Sequence, residues 1–249
     1  MSSAGVPGLP DEVVSALRDA ERVVALTGSG ISAESGVPTF REAQSGLWER
    51  YDPQDLATPE AFARDPRLVW EWYEWRRELV SGAEPNPGHR ALAELERKVP
   101  SFTLVTQNVD GLHQRSGSEN VIELHGNITR SKCSVEDVLV DDYAPDGKPP
   151  PCPNCGAPLR PDVVWFGEML PPGALEMASE AARGCDLLLS IGTSSLVYPA
   201  AALPYEALEN GATLVEVNPS RTPLSRHADF VLAGRGGEVL PELVREAFG

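Results

Sequence analysis

Short apolar runs recur along the chain and are separated by stretches with the periodicity of amphipathic helices. The run at 23–26 is short and rich in branched residues, which is typical of a buried parallel strand. Five more runs have this character, at 102–106, 121–124, 187–191, 213–217 and 230–232. Helical patterns lie before or between them, at 11–20, 89–98, 174–183 and 200–210. The alternation predicts an α/β fold, with a Rossmann-like, doubly wound parallel sheet covered by helices on both faces.

Two regions interrupt this alternation. Residues 44–85 are aromatic and helical in pattern, and residues 127–165 contain three of the four cysteines and a proline-rich segment. We interpret them as a helical insertion and a zinc-ribbon-like insertion that together form a smaller module. The larger, Rossmann-like part of the same domain is then 11–43, 86–126 and 166–249, and a ligand is expected in the cleft between the two parts.

Composition narrows the classes of function. With 249 residues, 41% hydrophobic and 23% charged, the chain has the size and balance of a globular protein. Its net charge of −16 argues against a general nucleic-acid binder, because phosphate binding needs basic patches. An acidic surface would attract basic partners, although a soluble or salt-adapted protein carries the same charge. No apolar run reaches the about 18 residues of a membrane span, and the N-terminus lacks a secretory pattern, so we expect a cytoplasmic protein.

A glycine turn follows the first predicted strand. Gly28, Ser29 and Gly30 come directly after it, and a helix is predicted to begin at 32–34. Strand, glycine turn and helix bring backbone N–H groups and a helix N-terminus up to a phosphate, and a Cβ in the turn would hold that phosphate away. The third glycine of a G-x-G-x-x-G is absent, so the turn alone is equally compatible with an ordinary tight turn.

Polar residues follow the next two strands. Gln107, Asn108 and Asp110 come after 102–106, and His125 comes after 121–124. Open α/β sheets bind ligands at this edge, and an imidazole there can take a proton from a hydroxyl. The alternatives are a helix-capping turn for Asp110 and a structural histidine at 125. Asn218, at a later strand end, could bind a ribose or begin an Asx-turn.

Two further segments suggest a substrate. The apolar segment 163–168 could pair with an extended peptide or be a core strand. In the tryptophan-rich helix that includes residues 70–77, Tyr73 and Arg76 are three residues apart and share one face. A phenol and a guanidinium together suit a carboxylate, although such helices are usually core with solvated arginines.

The cysteines indicate a metal site more than disulfides. Cys152 and Cys155 form a C-x-x-C pair that looks like half of a zinc knuckle, whereas Cys185 lies beside a buried strand and is predicted to be a core residue.

Taken together, TGSGIS, GVPTFR, TQNVDGLH, ELHG, VVWFGE, GTSSLVYPA and VNP resemble, in this order and spacing, the motifs of the sirtuins, the NAD-dependent protein-lysine deacylases. The resemblance extends from Val23 to Leu240. It implies that His125 is the catalytic base, with Asn108 and Asp110 in the catalytic group. It implies an NAD site made of Gly28, Ser29, Gly30, Ile31, Phe40, Arg41 and Trp48 in the cofactor loop, of Gln107, Asn108, Val109 and Asp110 around the nicotinamide ribose, and of Gly192, Thr193, Ser194, Asn218, Pro219, Ser220 and Gly236 on the adenosine side.

The resemblance also implies the substrate and products. Acyl-lysine proteins or peptides would be held along Val163, Val164, Trp165 and Phe166, and would yield free lysine, nicotinamide and O-acyl-ADP-ribose. The Y-x-x-R of Tyr73 and Arg76, with Trp165, looks like the sirtuin branch that removes malonyl, succinyl and glutaryl groups. A preference for acidic acyl groups is therefore predicted, with a general deacetylase as the alternative. We expect a monomer that binds neither nucleic acid nor membranes.

The zinc module departs from the family pattern. Sirtuins have two C-x-x-C pairs, whereas here Glu136 stands where the second cysteine of the first pair is expected. A weakened structural zinc site of Cys133, Cys152 and Cys155, with Glu136 as fourth ligand, is one interpretation, and a loop held by packing without zinc is the other.

Two other classes stay as alternatives. A Rossmann oxidoreductase needs a glycine turn, but no acidic residue follows a clear second strand about 20 residues on. A non-catalytic ADP-ribose-binding module would need no base at position 125.

Overall fold

The computed structural model describes residues 8–38, 51–144 and 147–249. Along the described chain the main elements are α1 (Asp11–Asp19), β1 (Arg22–Thr27), α2 (Pro53–Leu56), α3 (Pro59–Arg64), α4 (Pro66–Gly82), α5 (Pro87–Lys98), β2 (Ser101–Thr106), α6 (Leu112–Arg115), β3 (Val121–Glu123), β4 (Gly126–Cys133), β5 (Leu159–Val163), α7 (Pro172–Gly184), β6 (Leu187–Ile191), α8 (Leu203–Glu209), β7 (Thr213–Asn218), β8 (Phe230–Ala233) and α9 (Gly236–Phe248).

The main sheet has six strands in the order β3-β2-β1-β6-β7-β8, and every neighbouring pair is parallel. Counted along the chain, these strands stand as 3-2-1-4-5-6, which is the Rossmann order. The order reverses between β1 and β6, where Thr27 pairs with Ile191. This confirms the predicted α/β fold, and all six predicted strands are present.

Helices cover both faces of this sheet because its central strands are buried on both sides. Val23 and Ala25 of β1 pack into a core with α1, α5 and α9, whereas Val24 and Leu26 face α7 and α8. β6 is buried along its whole length. The continuous apolar runs in the sequence therefore belong to strands that are buried on both faces. Each face of the sheet consequently packs against its own layer of helices.

Helices α2 to α4 pack against a second, two-stranded sheet. β4 and β5 are antiparallel, with a shift of register between Asn127 and Ser131. Their shared core contains Phe62, Trp72 and Tyr73 from the helices together with Trp165 after β5. A second cluster joins Trp70 of α4 to Cys133, Cys152 and Leu159. The two insertions thus share buried residues, and the domain boundaries given above stay a prediction.

Three predicted elements differ from the structure. The helix expected at 32–34 is instead a pair of short 3₁₀ turns, Ser29–Ile31 and Ala33–Ser35, the second ending at Gly36 with φ of 77°. The helix at 200–210 is a 3₁₀ turn, Ala200–Ala202, followed by α8. The segment 163–168 is strand only at Val163, where β5 ends. Across the described ranges, the helices are all too short or too polar to cross a bilayer.

Candidate active site

A cleft of about 1300 Å³ opens at the carboxyl ends of β1, β2, β6 and β7 and continues to the α2–α4 side of the molecule. It lies at the point where the strand order reverses, which is where open α/β sheets place ligands. Of the sequence-predicted residues, the cleft is lined by Gly28, Ser29, Gly30, Tyr73, Arg76, Gln107, Asn108, Val109, Asp110, His125, Val163, Val164, Trp165, Phe166, Gly192, Thr193, Ser194, Asn218 and Ser220.

The glycine turns after β1 and β6 pack directly against each other. The Gly30 N–H donates to the Gly192 carbonyl over 2.8 Å, and a Cβ at Gly30 would lie 2.7 Å from that oxygen. Gly192 has φ of 59°, and a Cβ there would lie 2.5 Å from the Ile31 nitrogen. Neither position can accept a side chain, because the two backbones lie so close together. This packing is a second reason for glycine at these positions, in addition to the access of a phosphate to the backbone.

A buried hydrogen-bond network fixes the polar residues after β2. The Ser32 hydroxyl donates to Asp110 Oδ2 over 2.7 Å, and Asn108 Nδ2 donates to Ser32 Oγ and to the Gly28 carbonyl, each over 3.1 Å. Asp110 Oδ1 also accepts the Leu112 N–H at the start of α6, so the predicted capping role and a place on the cleft are both present. Burial raises the pKa of Asp110. Ser32 had no role in the sequence interpretation; its signal was its place inside TGSGIS.

Thr193, which follows β6, forms hydrogen bonds with residues at the ends of β2 and β7. Gln107 Nε2 donates to Thr193 Oγ1 over 3.1 Å, and Asn218 Nδ2 donates to the Thr193 carbonyl over 2.8 Å. Asn218 Oδ1 lies 3.5 Å from the Ser220 nitrogen, as an Asx-turn requires. Gln107, Thr193 and Asn218 therefore hold one another in place along the cleft wall.

His125 is held as a neutral base. Its Nδ1 lies 2.8 Å from the Gln107 carbonyl, which can only accept, so Nδ1 carries the proton and Nε2 carries the lone pair. Burial lowers the pKa of the imidazole. The backbone carbonyl of His125 accepts the Val164 N–H over 3.0 Å. The residue is thus attached to both sheets.

The backbone at Gly126, directly after His125, is fixed by close packing. Gly126 has φ of 76°, and a Cβ there would lie 2.2 Å from the Asp162 carbonyl oxygen. Arg130 bridges the two sides, since its Nη2 lies 2.6 Å from Glu123 and its Nε lies 2.9 Å from Asp162. Sequence reasoning did not find this bridge, because nothing local relates the three residues.

At the far end of the cleft, Tyr73 and Arg76 line the wall together. The Tyr73 hydroxyl accepts the indole N–H of Trp165 over 2.9 Å, and burial raises the pKa of Tyr73 to about 12. The Arg76 guanidinium lies 5.0 Å from the Trp72 ring centroid. Tyr73 is thus a buried core residue that also lines the cleft, and its role toward a carboxylate stays a prediction.

Comparison with known proteins places this architecture. The Sir2 family model matches residues 28–199. The chain belongs to the Sir2 family. It is 54% identical over 245 residues to "NAD-dependent protein deacylase 1" of Pseudomonas aeruginosa, covering 95% of this chain and 98% of that protein. It is also 54% identical over 235 residues to "NAD-dependent protein deacylase 2" of Pyrobaculum aerophilum, with 94% of each covered. The solved "crystal structure of a Sir2 homolog–NAD complex" superposes with a TM-score of 0.90 at 46% identity, over 98% of this chain and 95% of that one.

In this Sir2 family member the segment after β5 has its amides in use. The Val164 N–H donates to the His125 carbonyl, the Trp165 N–H to Glu168 Oε2 and the Phe166 N–H to the Ala57 carbonyl. Backbone pairing with a peptide over 164–166 would therefore use carbonyl oxygens, of which that of Trp165 already accepts the Glu168 N–H over 3.0 Å.

The four residues of the expected zinc site converge. Ligand atoms of Cys133, Glu136, Cys152 and Cys155 all lie within 4.8 Å of one another. The Cys133 and Cys155 sulfurs are 3.4 Å apart, and Cys152 Sγ is 3.8 Å from Glu136 Oε2. Tetrahedral zinc with bonds of about 2.0–2.3 Å would separate its ligands by about 3.3–3.8 Å, so three thiolates and one carboxylate fit this ion. Cys185 lies apart in the core, as predicted, and burial raises its pKa to about 11.

Some predicted NAD residues are not on the cleft wall. Ile31 is fully buried beneath the glycine turn, and Gly236 is packed against Ile31 and Ile191, so both support the wall from behind. Pro219 is exposed beside the cleft. Phe40, Arg41 and Trp48 lie outside the described residues.

Proposed function

We propose that this chain is an NAD-dependent protein-lysine deacylase, which moves an acyl group from lysine to the ADP-ribose part of NAD. The observation that carries the proposal is that a neutral imidazole, His125, shares one cleft with the paired glycine turns and with the Tyr73–Arg76 wall. The names of the relatives reported above agree with this chemistry.

The polar groups of the cleft fit a dinucleotide. Gly28, Gly30 and Gly192 bring no side chain to the two turns, so backbone can lie close to the ligand there. Asn218 and Ser220 offer an amide and a hydroxyl group for an adenosine ribose. Phe40, Arg41 and Trp48 would complete the site, as the family resemblance implies. NAD would supply a ribose carbon that accepts the acyl oxygen as nicotinamide leaves.

The chain's own residues then have separate tasks. His125 Nε2 takes a proton from a ribose hydroxyl, and the Gln107 carbonyl steadies the imidazolium that forms. Asn108 and Asp110 are held rigidly by Ser32, so they can orient the nicotinamide ribose without reorganisation. The carbonyl oxygens of Val164 and Phe166 hold the peptide beside them, while that of Trp165 accepts the Glu168 N–H and Val163 lies behind.

The first test separates the three classes of function. Nicotinamide release from NAD that requires an acylated peptide is expected of a deacylase, and not of an oxidoreductase or an ADP-ribose-binding module. His125→Ala should lower the steady-state rate of deacylation by about 10²–10⁴-fold, the usual worth of a general base, because the base acts after nicotinamide has left. The exposed His227→Ala is the matched control and should retain the wild-type rate. An undiminished rate in His125→Ala would remove this residue from the mechanism.

We further propose that the preferred acyl group ends in a carboxylate, as in succinyl-lysine. Tyr73 can donate one hydrogen bond, and Arg76 can bind the carboxylate with charge-assisted hydrogen bonds. Succinyl-lysine peptides should therefore react at least about tenfold faster, as kcat/KM, than acetyl-lysine peptides. Arg76→Met should lose this preference, whereas Arg67→Met, exposed on the same helix, should keep it. Faster reaction with acetyl-lysine in the wild type would make the enzyme a general deacetylase.

A further inference from the structure

Trp165 packs behind the part of the cleft wall that Tyr73 and Arg76 form. Its indole N–H donates to the Tyr73 hydroxyl over 2.9 Å, and the two ring centroids are 6.4 Å apart. The two residues are 92 positions apart in the chain, on different insertions. Trp165 is 2% exposed, so this contact is made in the dry interior, where a hydrogen bond is directional and strong.

The contact limits what the Tyr73 hydroxyl can do. A phenol O–H lies near the plane of its ring and can point to either side of the oxygen. The side that receives the indole N–H is closed to the phenol proton, because two hydrogens would meet there. The proton is therefore directed to the other side, and a phenol that accepts one hydrogen bond becomes a better donor of the next.

Trp165 is itself held in one position. The Arg160 guanidinium stacks 3.4 Å from its ring centroid, and Phe62 packs against the ring at 5.3 Å. Arg160 is paired with Glu168 through two contacts of 2.5 and 2.8 Å, and Glu168 also accepts the Trp165 backbone N–H. Ring and backbone are thus fixed by the same ion pair.

We infer that Trp165 is a positioning residue for acyl selectivity, which acts by orienting the Tyr73 hydroxyl toward the substrate carboxylate. This inference rests on the proposed function. It separates Trp165 from its neighbours Val164 and Phe166, whose carbonyl oxygens are assigned to the peptide backbone, because its side chain acts on the acyl group through Tyr73.

Trp165→Phe is the sharpest probe. It keeps an aromatic ring between Arg160 and Phe62 and removes only the N–H donor and part of the ring. The ratio of kcat/KM on succinyl-lysine to that on acetyl-lysine should fall about fivefold to tenfold, the worth of one oriented hydrogen bond. The matched control is Phe62→Leu, which loosens the other face of the ring without touching the donor and should leave the ratio unchanged even where both rates fall.

A double-mutant cycle decides whether the effect passes through Tyr73. In a Tyr73→Phe background, Trp165→Phe should change the ratio no further, because the hydroxyl that it orients is gone. An equal fall in both backgrounds, or no fall in either, would overturn the inference.

A spectroscopic readout keeps the inference separate from the acyl preference itself. The chain has five tryptophans, so ¹⁵N-labelled protein gives five indole N–H signals, and Tyr73→Phe should shift one of them strongly and speed its hydrogen exchange. If the wild type shows no succinyl preference, the acyl proposal fails and the selectivity role fails with it, while this signal still reports the hydrogen bond. If the signal does not move, the orienting contact is absent and the inference fails even where the succinyl preference holds.

Discussion

His125 shows how one side chain acquires a working protonation state. Its Nδ1 proton is used by the Gln107 carbonyl, and burial disfavours the charged ring, so the pKa of the imidazole lies below its ordinary value. The lone pair on Nε2 is therefore available before any ligand binds.

The pH dependence of turnover should report this state. The neutral ring is the active form, so kcat/KM should be level above pH 6.5 and fall as the pH decreases through the lowered pKa, with the midpoint of the acid limb below 6.5. Rates measured between pH 5 and 8 test this. The residual activity of His125→Asn should lose that limb; a midpoint at or above 6.5 in the wild type would contradict the buried, neutral base.

At the scale of elements, the two glycine turns hold the ends of β1 and β6 together. Gly30→Ala would place a Cβ 2.7 Å from a backbone oxygen, which cannot move as a side chain can. We expect a loss of about 1–3 kcal/mol in the free energy of unfolding, the range for overpacking, and a higher KM for NAD because the turn must shift. Urea unfolding and nicotinamide-release kinetics measure the two effects.

Gly173→Ala is the control for that substitution. Gly173 lies in the first turn of α7, and among the residues that the structure describes no atom lies within 4 Å of a Cβ placed there, so alanine should be neutral or stabilise by up to about 1 kcal/mol. Equal effects at the two glycines would refute the close-approach argument.

The stability of the cysteine-bearing insertion should depend on a bound zinc ion. Protein purified without chelator is expected to contain about one zinc per chain, held by three thiolates and one carboxylate. Cys155→Ser should lose the metal and lower the unfolding temperature, whereas Glu136→Cys should retain zinc at higher chelator concentrations, because a fourth thiolate binds it more tightly. The core variant Cys185→Ala should keep the wild-type zinc content. Metal-free wild-type protein would favour the loop held by packing alone.

At the scale of the whole molecule, stability should depend on pH through two buried histidines. His89 and His113 are 0% and 1% exposed, and their rings are 4.9 Å apart. Burial lowers the pKa of His89 to about 4 and that of His113 well below its ordinary value. The unfolded chain would protonate both near pH 6.5 and so binds more protons than the folded chain.

The free energy of unfolding should consequently be level above pH 6.5 and decrease as the pH falls toward 4. His89 and His113 together contribute up to about 3 kcal/mol per pH unit within that window, and His125, whose pKa is lowered by the same cause, adds to the slope. Denaturant titrations at a series of pH values measure the slope, which should decrease by up to about 1.4 kcal/mol per pH unit in His113→Gln and stay unchanged in the exposed variant His227→Gln. A level profile between pH 6.5 and 5 would show that these rings are not buried and neutral.

Whether the sequence can predict a feature depends on how far apart in the chain the interacting residues lie. The six strands were readable because two-sided burial leaves continuous apolar runs, and the strand ends at Gln107, His125 and Asn218 followed from them. The contacts of Ser32 with Asp110, of Arg130 with Glu123 and Asp162, and of Trp165 with Tyr73 were not readable, since each joins residues that only the folded chain brings together. The short 3₁₀ turns after β1 were missed because they depend on the packing of Gly30 against Gly192.

The bridge made by Arg130 has a consequence for how such an enzyme can diverge. It fastens the seam between the two sheets beside His125, and the Arg160–Trp165 stack reaches the same seam, because Arg160 also donates to the carbonyl of Val163, which pairs with Gly126. Substitutions behind Tyr73 are therefore expected to change the setting of His125 as well as the wall of the pocket. A lineage that changes its substrate preference would then need compensating substitutions along β4.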